Sequence, residues 1–245
     1  MTRIVRKKSE SNIYHVMLRG INRQQVFLDQ EDNRHFLKVL TQCREISKFQ
    51  LYAYCLMGNH IHLLLRVGEE PLEQVMKRIG TRFVIWYNNK YARTGHLFQD
   101  RYKSEPVEDD IYFLVVLRYI LNNPIKAGLC RNAENYPWSS AKDYISGRGI
   151  TDTGFAEKIM GRERLLEFIK EVANDACMDD VPSRINDIDA QKIILWIVGG
   201  EDVAACLRTV SDNPDQYVRL LRNAGLSIRQ ISRLTGLSVS TVRKQ

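Results

Sequence analysis

The chain has 245 residues, of which 44% are hydrophobic and 27% charged, and its formal net charge is +7. This composition is that of a soluble globular protein and excludes disordered, fibrous and collagen-like classes. The longest strictly apolar run, residues 193–198, is far shorter than the roughly 20 residues of a membrane-spanning helix. The five cysteines include no C-x-x-C pair, which argues against a disulfide framework or a cysteine zinc site and favours a reducing cytoplasm.

Charge is distributed unevenly along the chain. Residues 1–103 contain 18 Lys and Arg against 9 Asp and Glu, residues 156–215 contain 7 against 13, and residues 216–245 contain 6 against none. Two basic blocks separated by an acidic one indicate two surfaces that face a polyanion. Uneven surface charge on an ordinary soluble protein fits these counts equally well.

The first part of the chain predicts mixed α and β structure. Four segments are rich in β-formers, which predicts strands at 12–19, 50–57, 60–67 and 102–107. Three segments have helical patterns or start signals, which predicts helices at about 31–47, 71–91 and 111–122. Asp29 is expected to cap the first helix, Gly58-Asn59 to form a two-residue hairpin turn, and Pro124 to end the third helix.

The order of these elements, β-α-β-β-α-β-α, matches a split βαβ, ferredoxin-like arrangement over the first six. We therefore predict an α+β fold with a mostly antiparallel sheet, whose helices lie on one face and leave the other free to bind a ligand. Residues 1–150 would form this domain and 151–214 an acidic helical connector. Residues 215–245 have the spacing of a helix-turn-helix.

His60 and His62 are the most informative local pair. They alternate along a predicted strand, so both side chains lie on one face of the sheet while Ile61 points into the core. Two neighbouring imidazoles can chelate one divalent ion. His-x-His is a weak signal by itself, and histidines that are satisfied by hydrogen bonds near a turn also fit it.

Tyr119 and Asn123 lie four residues apart near the end of the third predicted helix, so they share one face. A tyrosine hydroxyl can act as a nucleophile and an asparagine oxygen as a metal ligand, but Tyr119 alone fits a packing role in an amphipathic helix better. The segment 93–104 alternates basic and aromatic residues. This pattern suits phosphates and unpaired bases as well as an ordinary solvated loop.

Five stretches, taken in order, resemble the REP-associated tyrosine transposases, which belong to the single-tyrosine HUH transposases. The stretches are YHVMLRGINRQQVF (14–27), MGNHIHLLL (57–65), RTGHLFQDRYKS (93–104), YILNNPIKAGL (119–129) and YPWSS (136–140). The resemblance covers about the first 145 residues and is specific as a set, whereas the histidine pair alone would not be.

The resemblance implies a metal-dependent endonuclease and strand-transferase that forms a covalent 5′-phosphotyrosine. It assigns the nucleophile to Tyr119 and the ligands of a Mg²⁺ or Mn²⁺ ion to His60, His62 and Asn123. The ion would offset the charge that builds on the phosphate in the transition state. Because no water is consumed, a second 3′-OH could attack the covalent link and rejoin strands.

Single-stranded DNA beside a hairpin is the substrate that the resemblance implies. Candidates for contact with its backbone are the basic residues Arg19, Arg23, Arg82, Arg101 and Lys103. Candidates for stacking on its bases are Trp86, Tyr87 and Phe98. The N-terminal part of the second helix of a helix-turn-helix lies near base edges, so candidates for duplex contact are Ser238, Ser240, Thr241, Arg243 and Lys244. A helical dimerisation or capping module is the alternative for this tail.

Two other functions fit the same residues. The chain could be a domesticated DNA-binding regulator whose nuclease centre is unused. It could also be a nicking enzyme such as a replication initiator or relaxase, although those often carry the histidines and tyrosine in another order or use two tyrosines. The resemblance leaves open whether the protein is a monomer or a homodimer, implies no membrane partner and favours a cytoplasmic, nucleoid-associated location.

Overall fold

The chain divides into two units, residues 1–178 and residues 179–245. The computed structural model describes residues 7–172, 177, 187–200, 202–223 and 226–244. The boundary between the units falls inside the segment 151–214, so the part of that segment before the boundary belongs to the first unit. The division into three segments that the sequence suggests stays a prediction.

A four-stranded antiparallel sheet forms the centre of the first unit. Its strands stand in the spatial order β2-β3-β1-β4 and are β1 (Ile13–Arg19), β2 (Gln50–Met57), β3 (His60–Arg66) and β4 (Lys103–Pro106). Met57 pairs with His60 across the Gly58-Asn59 turn, as predicted. The strand order is that of the split βαβ arrangement, which confirms the predicted α+β, ferredoxin-like fold.

Three long helices pack on this sheet: α1 (Gln30–Ser47), α2 (Leu72–Lys90) and α3 (Asp110–Lys126). Helices α1 and α2 share a core with one face of the sheet, which includes Val16 and Leu63. Helix α3 packs on the opposite face, against Ile13 and Leu64. The expectation of a free second face is therefore wrong. Helix α3 is apolar over most of its circumference, so it needs cover on two sides, and the sheet supplies one of them.

Three shorter helices complete the core on the α3 face, and they are α4 (Ala141–Ser146), α5 (Gly154–Met160) and α6 (Arg162–Lys170). Tyr144 from α4 and Leu165 from α6 are buried in the same core as α3. Tyr144 also donates a hydrogen bond of 2.8 Å from its hydroxyl to the carbonyl of Tyr52 on β2. These helices therefore fix α3 between themselves and the sheet.

The ends of the long helices follow from local chemistry, with one exception. Asp29 caps α1 as predicted: its carboxylate accepts hydrogen bonds from the amides of Glu31 and Asp32, and Asp32 accepts one from the amide of Asp29. Pro124 does not end α3, as the sequence led us to expect, but lies buried inside its last turns. A proline removes one backbone hydrogen bond, and the burial of α3 offsets this loss.

Within its described residues, the second unit is helical. Its helices are α7 (Asp187–Val198), α8 (Val203–Asp212), α9 (Pro214–Asn223), α10 (Ile228–Thr235) and α11 (Val239–Lys244). They share one core, which includes Ile194, Val210, Val218, Ile231 and Val242. In the part of the chain that is described, no helix combines the length and the apolar character that crossing a membrane requires.

The last two helices begin at serine caps and are separated by a glycine turn. The hydroxyl of Ser227 accepts a hydrogen bond from the amide of Gln230 at the start of α10. Gly236 ends α10 in the left-handed conformation, with φ of 75°, which glycine adopts without steric cost. The hydroxyl of Ser238 then accepts from the amide of Thr241 in α11. The predicted pair of short helices with a tight turn is thus present, and it is packed into a larger helical core.

An ion pair at the start of α2 gives a testable dependence on pH. Both guanidinium nitrogens of Arg78 donate to the carboxylate of Glu70, one of them over 2.7 Å, and this lowers the pKa of Glu70 from 4.5 to about 2. A carboxyl group whose pKa is lower in the folded chain stabilises the fold above its unfolded pKa, and this contribution is lost as the pH falls through the folded value.

We therefore expect Glu70→Gln to lower the free energy of unfolding at about pH 7. The effect should be small, because the side chains of both partners are partly exposed to solvent. The difference from the wild type should shrink as the pH falls below about 4.5, the unfolded value. Urea unfolding over a series of pH values measures it. A difference that stays constant over this range would show that the ion pair is not its source.

Candidate active site

The two histidines of β3 lie on the face of the sheet that α3 covers. Ile61 between them is buried in the core on the opposite face. His60 is half-buried and His62 is fully buried. The centroids of the two imidazole rings are 5.0 Å apart, and the rings are perpendicular. Alternation along the strand therefore places two nitrogen ligands side by side beneath α3.

Tyr119 of α3 packs directly on His62 and on His15 of β1. Its ring centroid lies 5.7 Å from that of His62 and 6.0 Å from that of His15, in both cases edge to face. The Tyr119 side chain is 3% exposed, and the ammonium of Lys126 lies 5.1 Å from the centre of its ring. Helix α3 thus brings the candidate nucleophile to the candidate metal ligands.

Two polar residues behind His62 were missed by the sequence analysis. His15 on β1 places Nε2 3.0 Å from Nδ1 of His62, and it places Nδ1 2.7 Å from Oε1 of Glu105 on β4. Glu105 pairs with His15 across the β1–β4 ladder. The alternation of His15 with Met17 and Arg19 was visible in the sequence, but the neighbour of β1 in the sheet was not.

Asn123 is half-buried on α3, one turn after Tyr119. Two imidazoles and an amide oxygen are a mixed donor set, in which the amide oxygen suits Mg²⁺ or Mn²⁺ and the imidazoles suit transition-metal ions. Nδ1 of His60 lies 2.6 Å from Oδ1 of Asn59, and Nδ1 of His62 faces His15. Nε2 is therefore the atom with which either histidine would bind an ion. Among the described residues, no three His, Cys, Asp or Glu side chains form a metal-binding group, so further ligands must come from amides or water.

Two of the basic candidates lie on the same face of the sheet as the histidines. Arg19 pairs with His60 across the β1–β3 ladder. Lys103 pairs with Met17, which in turn pairs with His62. Arg23 is exposed in a 3₁₀ turn, and its carbonyl accepts a hydrogen bond from the side-chain amide of Asn59. Cationic groups are thus present at the edge of the site, where a phosphate backbone could pass.

The other candidates lie elsewhere. Arg82 is exposed on α2, a helix of the opposite face of the sheet, and Arg101 is exposed just before β4. The candidates in the second unit lie at the start and along the exposed side of α11, and they are Ser238, Ser240, Thr241, Arg243 and Lys244. The hydroxyl of Ser238 is 2.7 Å from that of Ser240 and 2.8 Å from that of Thr241.

Two of the three aromatic candidates are occupied by packing. Tyr87 is buried in the core that α1 and α2 share, so the expectation that it stacks on a base is wrong. Trp86 stacks on His35 with ring centroids 3.8 Å apart. Phe98 is half-buried against the same core. The sequence could not distinguish these cases, because adjacent helical residues give no sign of which faces the sheet.

Residues 8–123 match the family model described as transposase IS200 like. These residues are similar to that family over 116 of the 245 positions, and we call them the IS200-like domain. A curated REP-associated tyrosine transposase of Haemophilus influenzae is 26% identical over 117 residues, and the match covers 43% of this chain and 66% of that protein. The resemblance on which the sequence analysis relied is therefore confirmed.

One solved structure agrees with the fold. A REP-associated tyrosine transposase bound to a REP hairpin superposes with a TM-score of 0.54 at 15% identity, over 73% of this chain and 96% of that one. A transposase from Deinococcus radiodurans gives a TM-score of 0.36 at 19% identity, over 49% of this chain and 97% of its own.

Proposed function

We propose that the IS200-like domain cuts single-stranded DNA with the hydroxyl of Tyr119 and transfers the cut end to another strand. The observation that supports this function most directly is the packing of Tyr119 on His62, with His60 beside it. Attack on a phosphodiester by a phenol needs a nucleophile and a positive charge held at the same phosphate. A helix-borne tyrosine above two strand-borne imidazoles meets this requirement.

The reaction proceeds without water. The Tyr119 oxygen attacks phosphorus and loses its proton, and the bond to the 3′ oxygen breaks. The departing 3′ oxygen takes up one proton, so the products are a 5′-phosphotyrosine and a free 3′-OH with no net change in protons. A later 3′-OH attacks the same phosphorus and displaces the tyrosine. When bound by His60, His62 and Asn123, a Mg²⁺ or Mn²⁺ ion supplies positive charge to a non-bridging phosphate oxygen.

The chain's own cations would position the DNA. Arg19 lies beside His60 and Lys103 lies two strands from His62, on the same face. Contacts with phosphates fix the register of a strand without reading its sequence. His60 is the more exposed of the two histidines, so the strand would enter at its end of β3, next to Arg23 and the hairpin turn.

Covalent capture tests this function. The full chain is incubated with Mn²⁺ and single-stranded oligonucleotides with and without an adjacent hairpin. We expect an adduct that survives denaturing electrophoresis, and peptide mapping should place the phosphate on Tyr119. DNA binding without any adduct would instead support a regulator whose nuclease centre is unused. An adduct on another tyrosine would contradict the assigned nucleophile.

We propose further that α11 contacts duplex or hairpin DNA, as the second helix of a helix-turn-helix. The support is the capped α10–turn–α11 pair together with the exposed Arg243 and Lys244 at its end. Residues 216–245 contain six basic residues and no acidic ones. Removing this tail would expose the core that it shares with α7 and α8, so point substitutions test the proposal better than truncation.

The double variant Arg243→Ala with Lys244→Ala should weaken duplex binding and leave covalent capture of an unstructured strand unchanged. Loss of two phosphate contacts should reduce the slope of log K against log salt by about 2. Fluorescence anisotropy over a salt series measures the slope. Arg208→Ala with Arg219→Ala is the matched control, because it removes the same charge from exposed positions on α8 and α9. An equal loss of duplex affinity in both variants would show that α11 contributes no more to DNA binding than α8 and α9 do.

A further inference from the structure

We propose that Glu105 and His15 fix the position of the ring proton on His62, so that its Nε2 carries the lone pair that faces an ion. His15 and Glu105 are positioning residues, because they act through His62. The inference rests on the proposed role of His62 as a metal ligand. Its first consequence is the ring nitrogen on which His62 carries its proton in the metal-free protein.

The three side chains form a continuous row of hydrogen bonds across three strands. Oε1 of Glu105 on β4 lies 2.7 Å from Nδ1 of His15 on β1, and Nε2 of His15 lies 3.0 Å from Nδ1 of His62 on β3. Both histidines are fully buried, and the Glu105 side chain is 25% exposed, so bulk water reaches the carboxylate but not the two imidazole rings. In each bond one atom must donate a proton and the other must accept it.

The carboxylate sets the direction of the whole row. An ionised Glu105 can only accept, so Nδ1 of His15 must carry its proton. In the proton order that we propose, both histidines are neutral, so Nε2 of His15 accepts and Nδ1 of His62 donates to it. The proton of a neutral His62 is thereby placed on Nδ1, and Nε2 keeps its lone pair. The opposite order would set a lone pair of His15 against the carboxylate at 2.7 Å.

Glu105 is itself held in place by α3. Burial and the neighbouring carboxylate of Glu105 raise the pKa of Tyr112 above its ordinary value, and a hydrogen bond joins the two side chains. A tyrosine that keeps its proton donates to the carboxylate, so the carboxylate keeps its role as acceptor. The row therefore begins at α3, crosses the sheet and ends at the ring on which Tyr119 packs.

The isosteric variant Glu105→Gln tests the direction of the row. The amide can donate as well as accept, so it permits both orders of protons. In ¹⁵N-labelled full chain without metal, long-range ¹H–¹⁵N spectra should show His62 as the Nδ1–H form in the wild type and as a mixture in Glu105→Gln. Titration with Mn²⁺ should show a lower affinity in the variant, by at most about 10- to 100-fold, which is the usual effect of losing the direct partner of a metal-bound histidine.

Glu108→Gln is the matched control. It removes a carboxylate three residues further along, which accepts hydrogen bonds from the amides of Glu10 and Ser11 instead of from a histidine. Both its His62 spectrum and its Mn²⁺ affinity should equal those of the wild type. His15→Gln is a second variant that interrupts the same row and should lower Mn²⁺ affinity in the same direction.

The outcomes separate this inference from the proposed function. An Nε2–H form of His62 in the wild type would overturn the inference, whatever the covalent capture shows. An unchanged Mn²⁺ affinity in Glu105→Gln would also overturn it. A shifted His62 spectrum and a weakened affinity, combined with an adduct that does not involve Tyr119, would support the inference and contradict the assigned nucleophile.

Discussion

Tyr119→Phe should abolish the covalent adduct with single-stranded DNA. The substitution removes the proposed nucleophilic oxygen and keeps the ring that packs on His15 and His62. We expect adduct formation to fall by at least about 10³-fold, as for the loss of a catalytic nucleophile in other enzymes. Affinity for the uncut strand should change by less than about twofold, because the phenol contributes no charge to binding. Denaturing electrophoresis and anisotropy measure the two quantities.

The matched control for this prediction is Tyr136→Phe. Tyr136 packs in the same core as Tyr119, and its hydroxyl donates a 2.7 Å hydrogen bond to the carbonyl of Leu56. This variant should lose some stability, of the order of 1 kcal/mol, and still form the adduct. If Tyr119→Phe retains the adduct, or if Tyr136→Phe loses it while folded, Tyr119 is not the nucleophile.

His60→Ala and His62→Ala should each lower Mn²⁺ affinity by at least about 100-fold and remove the adduct, because each deletes an assigned ligand of the ion. The two variants should differ in stability. His60 is half-buried beside the hairpin turn, so His60→Ala should lower the free energy of unfolding only slightly. His62 is fully buried and bonded to His15, so its loss should cost about 1–3 kcal/mol for the partner left behind.

Calorimetric titration with Mn²⁺ and thermal unfolding separate these effects. His96→Ala is the control for metal binding, since His96 is exposed in the segment before β4 and lies outside the four strands. Its Mn²⁺ affinity should equal that of the wild type. Undiminished binding in both His60→Ala and His62→Ala would place the ion elsewhere.

The local elements of the fold could be predicted because their signals are local. Alternation gave the bounds of β2, the Asp29 cap opened α1, and Gly236 ended α10. The position of α3 could not be predicted in the same way. Its apolar circumference shows that it is buried, but only the folded sheet determines which face covers it. The prediction that Pro124 ends α3 failed for the same reason, because it did not include the burial of the helix against the sheet.

The candidate site was predictable to the extent that it depends on one strand or one helix. Alternation sets His60 and His62 on one face, and helical spacing sets Tyr119 and Asn123 on another. That the two faces meet followed only from the resemblance. His15 and Glu105 are 90 residues apart in the chain, and their contact depends on the lateral order of strands, for which the sequence has no local signal.

The layer of side chains between α3 and the sheet is interior packing, and it also sets the distance between Tyr119 and His62. Tyr52 of β2 and Phe113 of α3 meet edge to face with ring centroids 5.1 Å apart, two helical turns before Tyr119. A change of one methyl group in this layer would displace α3 by a fraction of an ångström, and reactions between positioned groups are sensitive to such displacements. The rate of the proposed strand transfer would therefore depend on aliphatic and aromatic residues that never touch a nucleotide.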